Sequence, residues 1–279
     1  MQTYENVDAT ELLQKSKVPM EIVDSEEDIY YHMAMDMLSH INTNNKQGNQ
    51  TVYIVPVGPI GQYKKLAWLC SKKRVSLKNV WFINMDEYLL PDGNAVPLNH
   101  PLSFEGFMNS QFYEKMDPEL NIPVNQRVFP RPGRENEIGE LIEKLGGVDV
   151  TYGGMGINGH IAFNEPPEPG DTISDEEFLA LPCRVLSLSR ETRTINSATA
   201  ANGYIDFVPQ RCITVGMKEI MGAKKIRLYL NRPWQSGIVR KAALGEVNRY
   251  VPASFCQRHG NAAFILASYV AKPPLGQLR

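Results

Sequence analysis

The 279-residue sequence predicts an α/β protein with a doubly wound, mostly parallel sheet that carries helices on both faces, a Rossmann-like arrangement. Two observations point there. Short β-branched, apolar runs such as TVYIV (51–55), VWFIN (80–84), VDVTY (148–152) and IRLYL (226–230) read as buried strands. Stretches with helical punctuation alternate with them along most of the chain.

In chain order, Ser25-Glu-Glu-Asp28 resembles a capping box with Asp in the third helical position. It opens a helix to about His40, with Ile29, Met33, Met35 and Leu38 as its apolar positions. TVYIVPVG (51–58) reads as a strand, IGQYKKLAWLCSKK (60–73) as the helix after it, and VWFINMDEY (80–88) as a second strand. A Pro-, Gly- and Asn-rich connection (91–101) leads to a helix from Ser103 to about Lys115. ENEIGELIEKLGG (135–147) is a helix that ends on glycines. The strand VDVTYGG follows, then a polar insertion from about Glu165 to Leu181. After it come short strands in RVLSLS (184–189) and ITVG (213–216), the strand IRLYL, a helix over 235–245, and a final buried strand in NAAFILASYV (261–270). Residues 1–279 read as one domain, with 271–279 a loose tail.

Composition narrows the function classes. The chain is 43% hydrophobic, enough for one large domain, and its net charge of −2 makes no global electrostatic case for nucleic acid or an acidic membrane surface. No apolar run approaches the roughly 18 residues of a spanning helix. The polar N-terminus reads as no signal peptide. Cys70, Cys183, Cys212 and Cys256 lie far apart without metal-ligand spacing, so neither structural zinc nor a disulfide framework is expected, and a reducing cytoplasm is the default.

The chemistry concentrates in two segments. In GGMGINGHIAFNEP (153–166) a glycine-rich turn after a buried strand leads to His160 and, five residues on, Glu165. Gly154 to Gly159 also matches the dinucleotide fingerprint GxGxxG, but that fingerprint needs a helix directly after it. Here the chain runs into Glu165-Pro166-Pro167, which excludes one. In NVWFINMDEY the apolar strand ends in Asp86 and Glu87, at the same carboxyl edge of the sheet. Each segment alone also fits a plain turn or an Asp bonded to nearby amides. Two strand ends that both offer proton-transfer groups favour a shared site, with Asp86, His160 and Glu165 as an acid/base set. No Ser or Cys stands in a nucleophile-elbow context.

FINMDEY (82–88) followed by GGMGINGHIAFNEP (153–166) resembles the glucosamine-6-phosphate deaminase/isomerase family, whose superfamily includes 6-phosphogluconolactonases. The likeness spans nearly the whole chain and continues weakly through SRETRTINS (189–197), CITVGMKEIMGAKKI (212–226) and VPASFCQRH (251–259). The resemblance implies ring opening and aldose–ketose isomerisation with loss of ammonia from C2 of an amino sugar or its phosphate, without a metal or organic cofactor. It implies Asp86 as the enolising base, His160 as the ring-opening acid/base, Glu165 as its supporting carboxylate and Arg193 as a phosphate ligand. It leaves open both a monomer and a homo-oligomer.

Three departures from the family pattern stand out. Asn158 replaces the aspartate two residues before the histidine; an amide can orient the imidazole but not neutralise its charge. The first turn, Pro56-Val-Gly58-Pro59-Ile-Gly61-Gln62, is shorter than the family's and lacks its hydroxyl. The Gly58 and Gly61 amides suit an anion at a helix start, and equally a plain strand-to-helix turn. Gln235 aligns with the family's phosphate lysine. Arg232, Arg240 and Lys241 are the nearby basic residues, with surface placement the expectation for each. Substrate contacts are expected from Gly58, Gly61, Gly154, Gly156, Arg193 and Gln235, and a substrate other than glucosamine 6-phosphate fits these changes. A sugar lactonase and a catalytically silent sugar sensor are the alternatives. The acidic, proline-rich insertion around 166–182 corresponds to the family's lid, or is an exposed loop.

Overall fold

The computed structural model describes Tyr4 and residues 6–274. The chain begins with α1 (Ala9–Lys15), β1 (Met20–Val23) and the long helix α2 (Glu26–Gln47). The Ser25 cap of α2 is as expected: its hydroxyl accepts from the Asp28 amide, and the Asp28 carboxylate accepts from the Ser25 amide at 3.0 Å. The helix runs past His40 because Ile41 extends its buried stripe, and Gly48 closes it in the left-handed region. There follow β2 (Thr51–Val55), α3 (Gln62–Lys73), β3 (Val80–Asn84), β4 (Asp86–Leu89), α4 (Phe104–Met108), β5 (Arg127–Val128) and α5 (Asn136–Lys144). The second half contains β6 (Val150–Gly153), α6 (Asp175–Leu179), β7 (Arg184–Ser187), α7 (Arg190–Ala200) and β8 (Arg211–Thr214). It ends with α8 (Met217–Met221), β9 (Lys225–Leu230), α9 (Gln235–Leu244) and β10 (Ala262–Ala267).

Seven strands lie side by side in the order β1-β10-β9-β6-β2-β3-β5, and every neighbouring pair is parallel. The interior strands β6 and β2 are wholly buried, as parallel strands covered on both faces must be. From β2 the chain steps outward to β3 and β5, then returns to β6 on the other side of β2. That reversal opens a crevice beyond the carboxyl ends of β2 and β6, where open α/β sheets hold ligands.

The segment expected as one strand over 80–88 divides at Met85. The Met85 amide donates to the Val55 carbonyl of β2 and its own carbonyl accepts from the Val215 amide. The chain thereby leaves the parallel sheet and enters a second, antiparallel sheet of β4, β8 and β7. The helix expected over 103–115 is also interrupted. α4 ends at Met108 and Asn109–Tyr113 forms one π-helical turn.

The insertion at 166–182 is folded. Asp175 of α6 pairs with Arg249 at 3.1 Å, and Phe178 packs on Phe255 and Met217. At the other end, Ala271 is buried and its carbonyl accepts from Arg240, so the chain is still anchored at 271. Residues 275–279 of the expected tail lie outside the described residues. Among the described residues no helix is long and apolar enough to cross a membrane.

Candidate active site

The carboxyl ends of β2, β3, β6 and β9 open onto a cavity of about 310 Å3. Its wall includes the first turn (Pro56 to Ile60), Asp86, the glycine turn (Gly154 to Gly156), His160, and Asn231 with Arg232. Tyr88, Phe104 and Phe163 form an apolar side of the same cavity.

Asp86 stands at the crossing from one sheet to the other. The residue is 8% exposed, and its carboxylate accepts no hydrogen bond from another side chain or amide among the described residues. Burial first, and then the neighbouring Glu87 charge, push its pKa well above the ordinary range. Burial raises the Glu87 pKa too, but hydrogen bonds oppose the shift. Its oxygens accept from Ser103 Oγ and from the amides of Tyr88, Phe104 and Glu105, at 2.9–3.1 Å. One of two adjacent carboxylates is consumed in holding the start of α4, and the other is left facing the cavity.

His160 is placed by the turn that precedes it. The Gly156 amide donates to the His160 carbonyl, the Gly159 amide donates to the Gly156 carbonyl, and Gly159 has φ of 90°, a conformation suited to glycine. A Cβ on Gly156 would lie 2.1 Å from His160 Nε2, so only glycine lets the imidazole close onto the turn.

The ring's tautomer follows from a chain of contacts. Glu165 Oε2 is 2.6 Å from Asn158 Nδ2. A carboxylate only accepts, so this contact fixes the Asn158 amide with its oxygen turned toward His160, 2.8 Å from Nδ1. That oxygen also only accepts, so Nδ1 carries the proton and the neutral ring keeps Nε2 as its free base. Glu165 itself lies 3.5 Å from Nδ1 and takes the Ser189 amide on its other oxygen. Burial works to raise the Glu165 pKa, but the bonds and charge contributed by His160, Thr192 and Asn158 outweigh it and hold the group at about 2. Asn158 and Glu165 therefore stand behind the imidazole and do not line the cavity.

No family model matches the chain. Its sequence is 31% identical to glucosamine-6-phosphate deaminase of Mycoplasma mycoides over 211 residues, 75% of this chain and 78% of that one. It is 32% identical to glucosamine-6-phosphate deaminase of Yersinia enterocolitica over 215 residues, 76% and 75% of the two chains. The chain belongs to the glucosamine-6-phosphate deaminase family. Solved structures agree at the level of the fold. A monomeric glucosamine-6-phosphate deaminase superposes with a TM-score of 0.77 at 24% identity, covering 90% of this chain and 98% of that one. A 6-phosphogluconolactonase from Plasmodium vivax gives 0.64 at 17% identity, over 94% and 97% of the two chains.

Within this deaminase-family fold, Gly58, Gly154, Gly156 and Gln235 reach the cavity wall, whereas Gly61 and Arg193 do not. Gly61 is small because the Tyr30 ring packs against it. Arg193 turns its guanidinium onto the carbonyls of Ile205 and Val208, at 3.2 and 3.4 Å. Gln235 accepts from the Arg232 amide and donates to the Met155 carbonyl, so both ends of its side chain are engaged within the protein. Of the surface placements expected, that of Arg240 is corrected, since it is fully buried; Lys241 is exposed, and Arg232, partly exposed, lies on the cavity wall. No residue of the 166–182 insertion lines the cavity, so in this conformation it does not act as a lid. Asn231 and Arg232 follow the strand IRLYL, and that strand end was the available signal for them. Asn196 and Thr199 also reach the cavity from α7, with no comparable sign in the sequence.

Proposed function

We propose that the chain is an amino-sugar deaminase/isomerase, as its relatives' names imply, in which Asp86 and His160 carry the chemistry. The supporting observation is that both groups face one cavity, each with its reactive atom free of partners among the described residues.

His160 Nε2 takes the proton of the anomeric hydroxyl and returns it to the ring oxygen, which opens the pyranose to its aldehyde. Asn158 and Glu165 hold the ring in the required tautomer and meet the charge it carries between the two transfers. The Asp86 carboxylate then removes the proton from C2 and delivers it to C1. This leaves an iminium at C2 and an alkoxide at O1; a proton passes from nitrogen to O1, and water converts the resulting imine to the ketone with release of ammonia. A carboxylate whose pKa is raised by burial is a stronger base near neutral pH than an exposed one, which suits a carbon acid. Gly154 lies on the cavity wall beside the sugar, and Gly156 gives its side-chain space to the imidazole.

Purified protein supplied with glucosamine, galactosamine and their 6-phosphates tests the proposal. The expected result is ammonia release from at least one of them, lowered about 100- to 10,000-fold in Asp86→Asn. Silence across the panel, or a lactone hydrolysis that survives Asp86→Asn, overturns it.

A further inference from the structure

We infer that Arg232 is the residue through which this chain reads the anionic end of its substrate, a phosphate monoester on the sugar. It does so in place of Arg193 and of a lysine at position 235. The inference rests on the amino-sugar reading for the sugar itself, and on separate observations for the anion.

Among the described residues lining the cavity, Arg232 is the one permanently charged cation. It follows β9, beside the crevice into which the turn Gly58 to Ile60 also projects. Among the described residues its guanidinium has no hydrogen-bond partner, and its one ionic neighbour is Glu26 at 3.8 Å, the outer limit of an ion pair. The same Glu26 oxygen is taken more closely by Asn231 Nδ2, at 2.8 Å. A planar fork of donors is thus present at the cavity wall and unspent.

The two other positions from which a cation was expected are closed to this role. Arg193 is outside the cavity, and its Nε and Nη2 donate to two backbone carbonyls. Gln235 is uncharged, and its bonds to the Arg232 amide and the Met155 carbonyl secure the backbone of Arg232 against the glycine turn. Position 235 has become a brace for the arginine three residues before it. Among the described residues Asp86 is the only carboxylate on the cavity wall, and Glu26, which lies off the wall, is the one negative group paired with Arg232. The Arg232 side chain is 37% exposed, so its contact with a phosphate is screened by salt and weaker than one in a closed site.

Calorimetric titration of the turnover-deficient Asp86→Asn protein with glucosamine 6-phosphate and with glucosamine tests the inference. Adding Arg232→Met weakens the phosphate ester about ten- to a hundredfold and leaves glucosamine unchanged. Arg232→Lys recovers part of that loss, and Arg193→Met leaves the ratio of the two ligands where it was. Glu26→Gln tightens the ester severalfold by freeing the guanidinium. Equal affinity for glucosamine and its 6-phosphate, or an ester affinity indifferent to Arg232→Met but lost in Arg193→Met, overturns the inference. Ammonia release by the unsubstituted protein is scored separately. If it is absent while Arg232-dependent ester binding persists, the deaminase reading fails and the phosphate site stands.

Discussion

Asp86 and Glu87 are neighbours in sequence whose carboxylates are both pushed up by burial but are bonded very differently. Among the described residues Glu87 receives four hydrogen bonds on its carboxylate, whereas the buried Asp86 carboxylate receives none. A carboxylate whose pKa is raised on folding destabilises the native state at pH values above its unfolded pKa. Asp86→Asn is therefore expected to stabilise the protein at neutral pH by about 1–2 kcal/mol, even as it removes the proposed base. Urea unfolding at pH 7 measures this, and a stability unchanged or lowered counts against an unpaired buried charge. Glu165 is the reverse case. Its pKa falls from 4.5 to about 2, so its contribution is fully present above pH 4.5 and is lost as the pH drops through 2. The contribution is on the order of 3 kcal/mol. Glu165→Gln should flatten the decline in unfolding free energy between pH 5 and pH 2, read from denaturant midpoints across that range. Gly156→Ala pushes a methyl into the His160 ring and should lower kcat more than tenfold with the thermal transition little changed. An active Gly156→Ala protein would mean that the imidazole position is not critical.

At the scale of elements, the strand over 80–88 and the helix over 103–115 were legible as apolar segments, but their interruptions were not. An apolar run specifies burial, and Val80–Asn84 and Asp86–Leu89 are both buried; which sheet each joins depends on the carbonyls of β2 and the amides after β8. The short α4 likewise depends on Glu87, distant in sequence, to receive its first amides. The insertion at 166–182 read as polar, and its one buried aromatic, Phe178, is what docks it. Phe178→Ala should release α6 from Phe255 and Met217, at a cost of about 3 kcal/mol to that local unit. Hydrogen exchange should then rise across 174–181 and stay unchanged in β2 and β6. Exchange rising everywhere would show that the insertion is part of the global core.

For the whole molecule, the reversal of strand order between β2 and β6 gathers residues from positions 58, 86, 160 and 232 around one cavity. Arg240 acts on the same scale. It is fully buried and donates to the carbonyls of Val7, Ser236 and Ala271, which ties both ends of the chain to α9. Arg240→Met leaves those carbonyls unpaired and should cost about 3 kcal/mol, seen as a fall in Tm of several degrees. Helical spacing and strand-end chemistry were enough, from the sequence alone, to name the α/β class, most of its strands, and Asp86, His160 and Glu165 as a set. Those features are local: a short apolar run, a glycine turn, a polar residue at a strand's end. The direction of long side chains was decided only by tertiary structure. Arg193, Arg232, Gln235 and Arg240 are alike in being polar and flexible, and each is committed by carbonyls, carboxylates or open space supplied from other elements. A sequence states which donors exist, and only the assembled fold determines which of them remain unspent at the cavity.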